Sequence, residues 1–126
     1  MIRKSILTGV VSIAFAVTLS GCDFFSGPSY AKDVNPILQT KCAKCHTEGG
    51  EGAEKSGFLI SSYEAVMKGT KLGPVVVAGD ATSSSLDRLV SGKVDKSIRM
   101  PHGEGGLSPA EIEVLQNWID QGAKNN

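Results

Sequence analysis

The chain has 126 residues, enough for one small domain once processed. Its 13 basic and 13 acidic side chains cancel; without Arg3 and Lys4, which lie in a segment expected to be removed, the balance is 11 against 13, about −2. No basic stripe is present, which argues against nucleic acid as a partner, and seven aromatic residues make a thin core that a buried planar group would complete.

Residues 1–21 read as an export signal. Arg3 and Lys4 form its positive start, Ile6 to Leu19 its apolar run, and Leu19-Ser20-Gly21 the small-residue cleavage context before Cys22. The run is shorter than the roughly 20 residues a membrane-spanning helix needs. Leu19-Ser20-Gly21-Cys22 also resembles the lipobox of bacterial lipoproteins, in which the cysteine is acylated and becomes the new N-terminus. That resemblance implies lipidation at Cys22, a lipidated tether over residues 22–29 and a domain over residues 30–126. Several acyl chains on one residue give the stable anchoring that a single chain does not. With Cys22 so used and Cys42 and Cys45 closely paired, no cysteine is left for a structural disulfide.

The mature chain reads as helices separated by long loops. The spacing of Val34, Ile37, Leu38 and Cys42 predicts a first helix over about Val34 to Lys41, with Asp33 or Asn35 as its cap and Pro36 in its first turn. Gly49 to Gly57 reads as a polar loop. It lacks the preceding strand and the Gly-Lys-Ser/Thr ending of a phosphate-cradling loop. A second helix is expected from about Ser62 to Lys68, with Ser61 and Glu64 at capping-box spacing and Gly69 as the stop. Leu72 to Asp80 is irregular, although Val75-Val76-Val77 has the composition of a short buried strand. Leu86, Leu89 and Val90 share one face of a third helix that Gly92 ends. The last helix has the fullest set of signals: Ser108 as cap, Pro109 in the first turn, Glu111 completing a capping box, and Leu107 and Ile112 at staple spacing. Ile112, Leu115 and Ile119 line its apolar face beside Trp118, a position that makes Trp118 a core residue, and Gly122 stops it. The fold class expected is all-α, with about four helices. Loops this long are unusual unless they wrap around a cofactor.

Cys42-Ala43-Lys44-Cys45-His46 supplies that cofactor. Covalent haem needs two thiols that reach two vinyl groups on one porphyrin edge, and an imidazole placed to ligate the iron. Residues three and four apart project from one face of a helical turn, and this spacing is that of c-type haem attachment. Cys42 and Cys45 are thus expected to form the two thioethers and His46 to take the proximal iron position. A zinc site would need two further ligands, where only His102 and scattered carboxylates remain. A thioredoxin-like redox pair would need a strand–helix alternation that is missing.

From about Val34 onward the chain resembles the small class I-type c-type cytochrome domains, especially the subgroup common in planctomycetes and other environmental bacteria. The matching stretches are Val34-x-Pro36-Ile37-Leu38, the haem motif, Gly73-Pro74, Gly79-Asp80 and Ser85-Leu86. They continue with Met100-Pro101, Leu107-Ser108 and Trp118-Ile119-x-x-Gly122-Ala123. The resemblance implies a small cytochrome c-like fold wrapped around one covalent haem c. It also implies that Met100, followed by Pro101, supplies the distal sulfur. His102, two residues on, and Met67, inside a helix, are the other candidates for the sixth ligand. The resemblance further implies that the Pro74 region packs on the proximal side, with a backbone carbonyl towards His46 Nδ1.

With both axial positions filled the chain is expected to transfer single electrons rather than act as an enzyme. Its partners would be redox proteins or a membrane respiratory complex at the periplasmic side of a bacterial membrane. If Met100 does not ligate, Arg99 and His102 would flank an open iron face, the arrangement of a peroxidase-like enzyme or a gas or redox sensor.

Overall fold

The computed structural model describes residues 27–103 and 105–126. The export signal expected over 1–21, the expected lipidation site Cys22 and all but residues 27–29 of the expected tether lie outside the described residues. A π-helical turn at Tyr30–Val34 leads into α1 (Asn35–His46), followed by α2 (Glu51–Ser56), α3 (Tyr63–Lys68), α4 (Ser85–Val90), a 3-10 turn at Lys96–Ile98, and α5 (Pro109–Asp120). The all-α expectation holds: among the described residues the only β feature is an isolated bridge between Thr70 and Gly73.

Several local expectations need correction. The first helix runs five residues past Lys41 to His46, because the haem motif itself is helical. It also has no side-chain cap of its own. The chain enters it through the π turn, whose cap is Ser29, and the Asp33 carboxylate accepts from Ser29 N at 2.7 Å. The Gly49–Gly57 stretch is not wholly loop. It contains α2, which Gly57 closes at φ +77°, a value that favours glycine. At α3 the cap is Ser62, whose hydroxyl accepts from Ala65 N, and not Ser61. Val75-Val76-Val77 forms no strand. Val75 and Val76 are buried, Val77 is exposed, and Val75 O accepts from Leu86 N at 3.0 Å, so the segment packs against the start of α4.

The core lies where the π turn and α1 meet α5. Val34, Leu38, Leu115, Trp118 and Ile119 are fully buried, with Ile60 and Val66 joining them from the middle of the chain. Each such side chain contributes roughly 1.5–3 kcal/mol of burial free energy. Tyr30 sits between the rings of Tyr63 (centroids 5.1 Å, edge-on) and Trp118 (5.7 Å). Trp118 is a core residue as expected, and its Nε1 donates to Lys124 O at 2.9 Å. Capping is complete at α5, where Ser108 Oγ accepts from Glu111 N and the Glu111 carboxylate accepts from Ser108 N. Beyond it Gly122 (φ +101°) turns the chain, and Ala123 N reaches back to Trp118 O at 2.8 Å. The C-terminus is sewn to the π turn: Asn126 O accepts from Ser29 Oγ (2.6 Å) and Ala31 N (3.0 Å).

Tyr63 closes this arrangement by donating from its hydroxyl to Ala123 O at 2.7 Å. Tyr63→Phe is expected to destabilise the folded protein by about 1–2 kcal/mol, since it strands that carbonyl, while leaving the visible spectrum unchanged. Denaturant unfolding followed beside the absorption spectrum checks both.

Candidate functional site

Cys42, Cys45 and His46 occupy the last turn of α1, so one rigid element presents all three. Cys42 faces inward and packs against the core, while Cys45 is exposed; neither forms a disulfide. Burial, and then the neighbouring Cys45, push the Cys42 thiol up to about 11, so it remains S–H at neutral pH.

His46 is oriented by the chain that follows. Gly57 reverses the backbone after α2, and residues 58–60 then run beside the end of α1. Ile60 N donates to His46 O at 3.1 Å, and His46 Nδ1 lies 3.1 Å from Phe58 O. A carbonyl only accepts, so Nδ1 carries the proton and Nε2 of the neutral ring is left with its lone pair free. Phe58 is buried, its ring lies edge-on to the imidazole at 5.2 Å, and its own N–H is held by Ser56 Oγ at 3.0 Å. The orienting carbonyl therefore belongs to Phe58. The expectation for the Pro74 region is corrected: Pro74 is exposed and passes against Gly69, where an added Cβ would meet Pro74 Cα at 2.6 Å.

Gly52 accounts for part of the glycine-rich stretch. A Cβ there would come within 2.9 Å of His46 Cε1, 3.0 Å of Nε2 and 2.9 Å of Cys45 O. A side chain at position 52 could not be accommodated with α2 this close to the ring. Two uncrosslinked thiols and an imidazole with its Nδ1 satisfied and its Nε2 free are the donor set that a covalent haem requires. Among the described residues, no group of three or more His, Cys, Asp or Glu stands where it could hold a metal ion by itself. The residues present fit haem: Cys42 and Cys45 to bond its edge, His46 Nε2 to face its iron.

The remaining candidates lie on the segment before α5. Met100 is half-buried, packs against the core, and donates its N–H to Leu89 O at 3.1 Å. Arg99 and His102 are exposed, and Met67 on α3 is half-buried against the core. Lys41 brings this segment to the haem-motif side. It is next to Cys42, donates to Gly106 O at 3.4 Å and lies 3.5 Å from the Glu111 carboxylate. Phe58 O and Gly52 were not singled out from sequence. A backbone carbonyl has no residue signature, and the only hint was the density of glycines between Gly49 and Gly57.

Residues 42–104, half of the chain, match the family described as planctomycete cytochrome C. The chain belongs to that family. The matched stretch opens on Cys42 and takes in Cys45, His46, Gly52, Phe58 and Met100. No curated protein and no solved structure matched the chain. Membership in a cytochrome c family gives the protein haem-based electron transfer as its general chemistry and covalently attached haem c as the implied cofactor.

Gly52→Val is expected to lower the yield of haem-loaded cytochrome several-fold, because the new side chain intrudes on His46. The change also removes a helical glycine, which intrinsic propensity alone would favour. Haem content per protein, measured on the purified variant, checks it; normal loading would show that the close approach of α2 does not matter.

Proposed function

We propose that this cytochrome is a membrane-tethered, periplasmic, single-electron carrier with His46 and Met100 as axial ligands and no enzymatic turnover of its own. One observation carries the reading: His46 ends the same helix that presents Cys42 and Cys45, with Nδ1 committed to Phe58 O and Nε2 free. Haem c bound there supplies a one-electron iron couple. The chain's part is to hold, orient and tune. The Phe58 carbonyl keeps the proton on Nδ1, stops the ring from turning and makes Nε2 a better donor. Half-burial against the core would let Met100 offer its thioether as the second iron ligand, while the exposure of His102 favours a solvent-facing role for that imidazole. A His/Met pair raises the reduction potential relative to more electron-donating ligands. Two protein ligands leave no open iron position, which favours outer-sphere transfer to redox proteins or a respiratory complex at the membrane.

Met100→Ala tests the ligand. The wild-type oxidised protein is expected to show the weak red-region band of sulfur–iron coordination, and its reduced form to bind carbon monoxide slowly. The variant should lose the band, bind carbon monoxide rapidly, and fall in potential by on the order of a few hundred millivolts within the about 0.8 V that axial ligands span. Rapid carbon monoxide binding by the wild type would instead favour an enzyme or sensor with an open iron face. An unchanged band in the variant would transfer the sixth position to another side chain.

The tether rests on the lipobox-like Leu19-Ser20-Gly21-Cys22. Fractionation is expected to find the wild type in membranes and a cleaved Cys22→Ser variant in the soluble periplasmic fraction. Tight membrane association of that variant would rule out lipid at Cys22 as the anchor.

A further inference from the structure

Among the described residues Asp87 is the only charged side chain in the fully buried class, and neither the haem motif nor its orienting contacts use it. It sits in the first turn of α4, among the apolar Leu86 and Val90 of the same short helix. A carboxylate withdrawn from water is costly unless it is both paired and hydrogen-bonded. Asp87 is both. Oδ2 accepts from Lys93 Nζ at 2.9 Å and Oδ1 from Gln116 Nε2 at 2.7 Å. An apolar residue would fill such a position without that cost, so the partners indicate what the charge is for.

Gln116 lies on α5, and Lys93 opens the loop that connects α4 to Met100. That loop is folded back on α4 at both ends. Ser91 N donates to Asp87 O (2.8 Å), Lys93 N to Arg88 O (3.0 Å) and Met100 N to Leu89 O (3.1 Å). Between them Gly92, at φ +74°, lets Arg99 pass so closely that a Cβ would lie 2.8 Å from Arg99 Cζ, and Arg99 Nη2 donates to Gly92 O at 3.2 Å. The backbone bonds close the loop on α4 alone. Asp87 is where α4, the loop and α5 are joined.

We propose that Asp87 is a positioning residue whose buried carboxylate, gripping Lys93 and Gln116, holds the loop in the one conformation that keeps Met100 at the iron. This rests on the reading of Met100 as distal ligand. Buried ionic groups are best attested as devices that select one geometry among several, and here the geometry selected is that of the loop ending in the methionine. Lys93, whose side chain is half exposed, draws the carboxylate's charge towards water without opening the core. Loosening the grip leaves the fold standing and lets the sulfur leave the iron more often.

The experiment compares haem-loaded wild type, Asp87→Asn and Tyr63→Phe, the last a destabilised control whose lost bond lies away from the loop. Three quantities are read: the red-region band, the rate at which free imidazole binds the oxidised iron, and amide hydrogen exchange at Lys93 and Met100. Asp87→Asn removes the charge that attracts Lys93 and is expected to speed imidazole binding on the order of tenfold, as suits the loss of a charge-assisted hydrogen bond, and to abolish protection at both amides. Tyr63→Phe should do neither. Equal acceleration in Tyr63→Phe, or full amide protection in Asp87→Asn, overturns the proposal. If the wild type lacks the red band while Asp87→Asn still loses protection, the Met100 reading fails; the positioning of a distal ligand falls with it, and a structural clamp is all that stands. Should Asp87→Asn not fold, Lys93→Gln at the half-exposed partner is expected to change both readouts in the same direction and by less. No change in either would overturn the proposal as well.

Discussion

The hydrogen bond between His46 Nδ1 and Phe58 O is the constraint on which the rest of the site depends. It needs α1 to stay helical through Cys45, so that the imidazole leaves the last turn at a set angle, and it needs the chain to return within twelve residues to offer a carbonyl. α2 and its closing Gly57 make that return. Gly52 lets α2 lie against the ring, and the backbone bond from Ile60 N to His46 O holds the returning strand of chain in register with the helix end. Remove the carbonyl and the ring can turn, exchanging the nitrogen it presents. With it, a flexible side chain becomes a directed donor.

Around that bond the molecule divides its labour. The aromatic and aliphatic core between the π turn, α1 and α5 supplies rigidity, and it is tied at both ends by Asn126 and by the hydroxyl of Tyr63. The chemistry sits at the edge of this core and not within it: Cys42 and His46 are half-buried and Cys45 is exposed. The segment that carries Met100 is held differently, by backbone bonds to α4 and, beyond it, by the contacts of Asp87 with Lys93 and Gln116, so it and the haem-motif turn have separate supports.

Much of this was legible in the sequence. Cys42, Cys45 and His46 announce themselves because the two thiols and the imidazole must occur at one spacing whatever surrounds them. α5 was legible down to its cap, since Ser108, Pro109 and Glu111 act within a single turn and need no tertiary partner. The misreadings share a cause. Asp33 and Ser61 are sound caps in isolation, but the chain enters α1 through a π turn held by Ser29, and α3 begins one residue later than Ser61 suggests. The glycines from Gly49 to Gly57 looked like loop because helical propensity counts against them, whereas close packing against Cys45 and His46 requires Gly50 and Gly52, and positive φ favours Gly49 and Gly57.

Sequence alone determined the fold class, the thiol pair with its histidine, and the helix that closes the domain, because each depends on spacing or on contacts within one turn. Tertiary structure decided which carbonyl orients His46, why position 52 is glycine, and that Asp87 joins α4, α5 and the methionine loop. Those are meetings between residues 6 to 29 positions apart, made by backbone atoms or by buried charges whose partners no local pattern names.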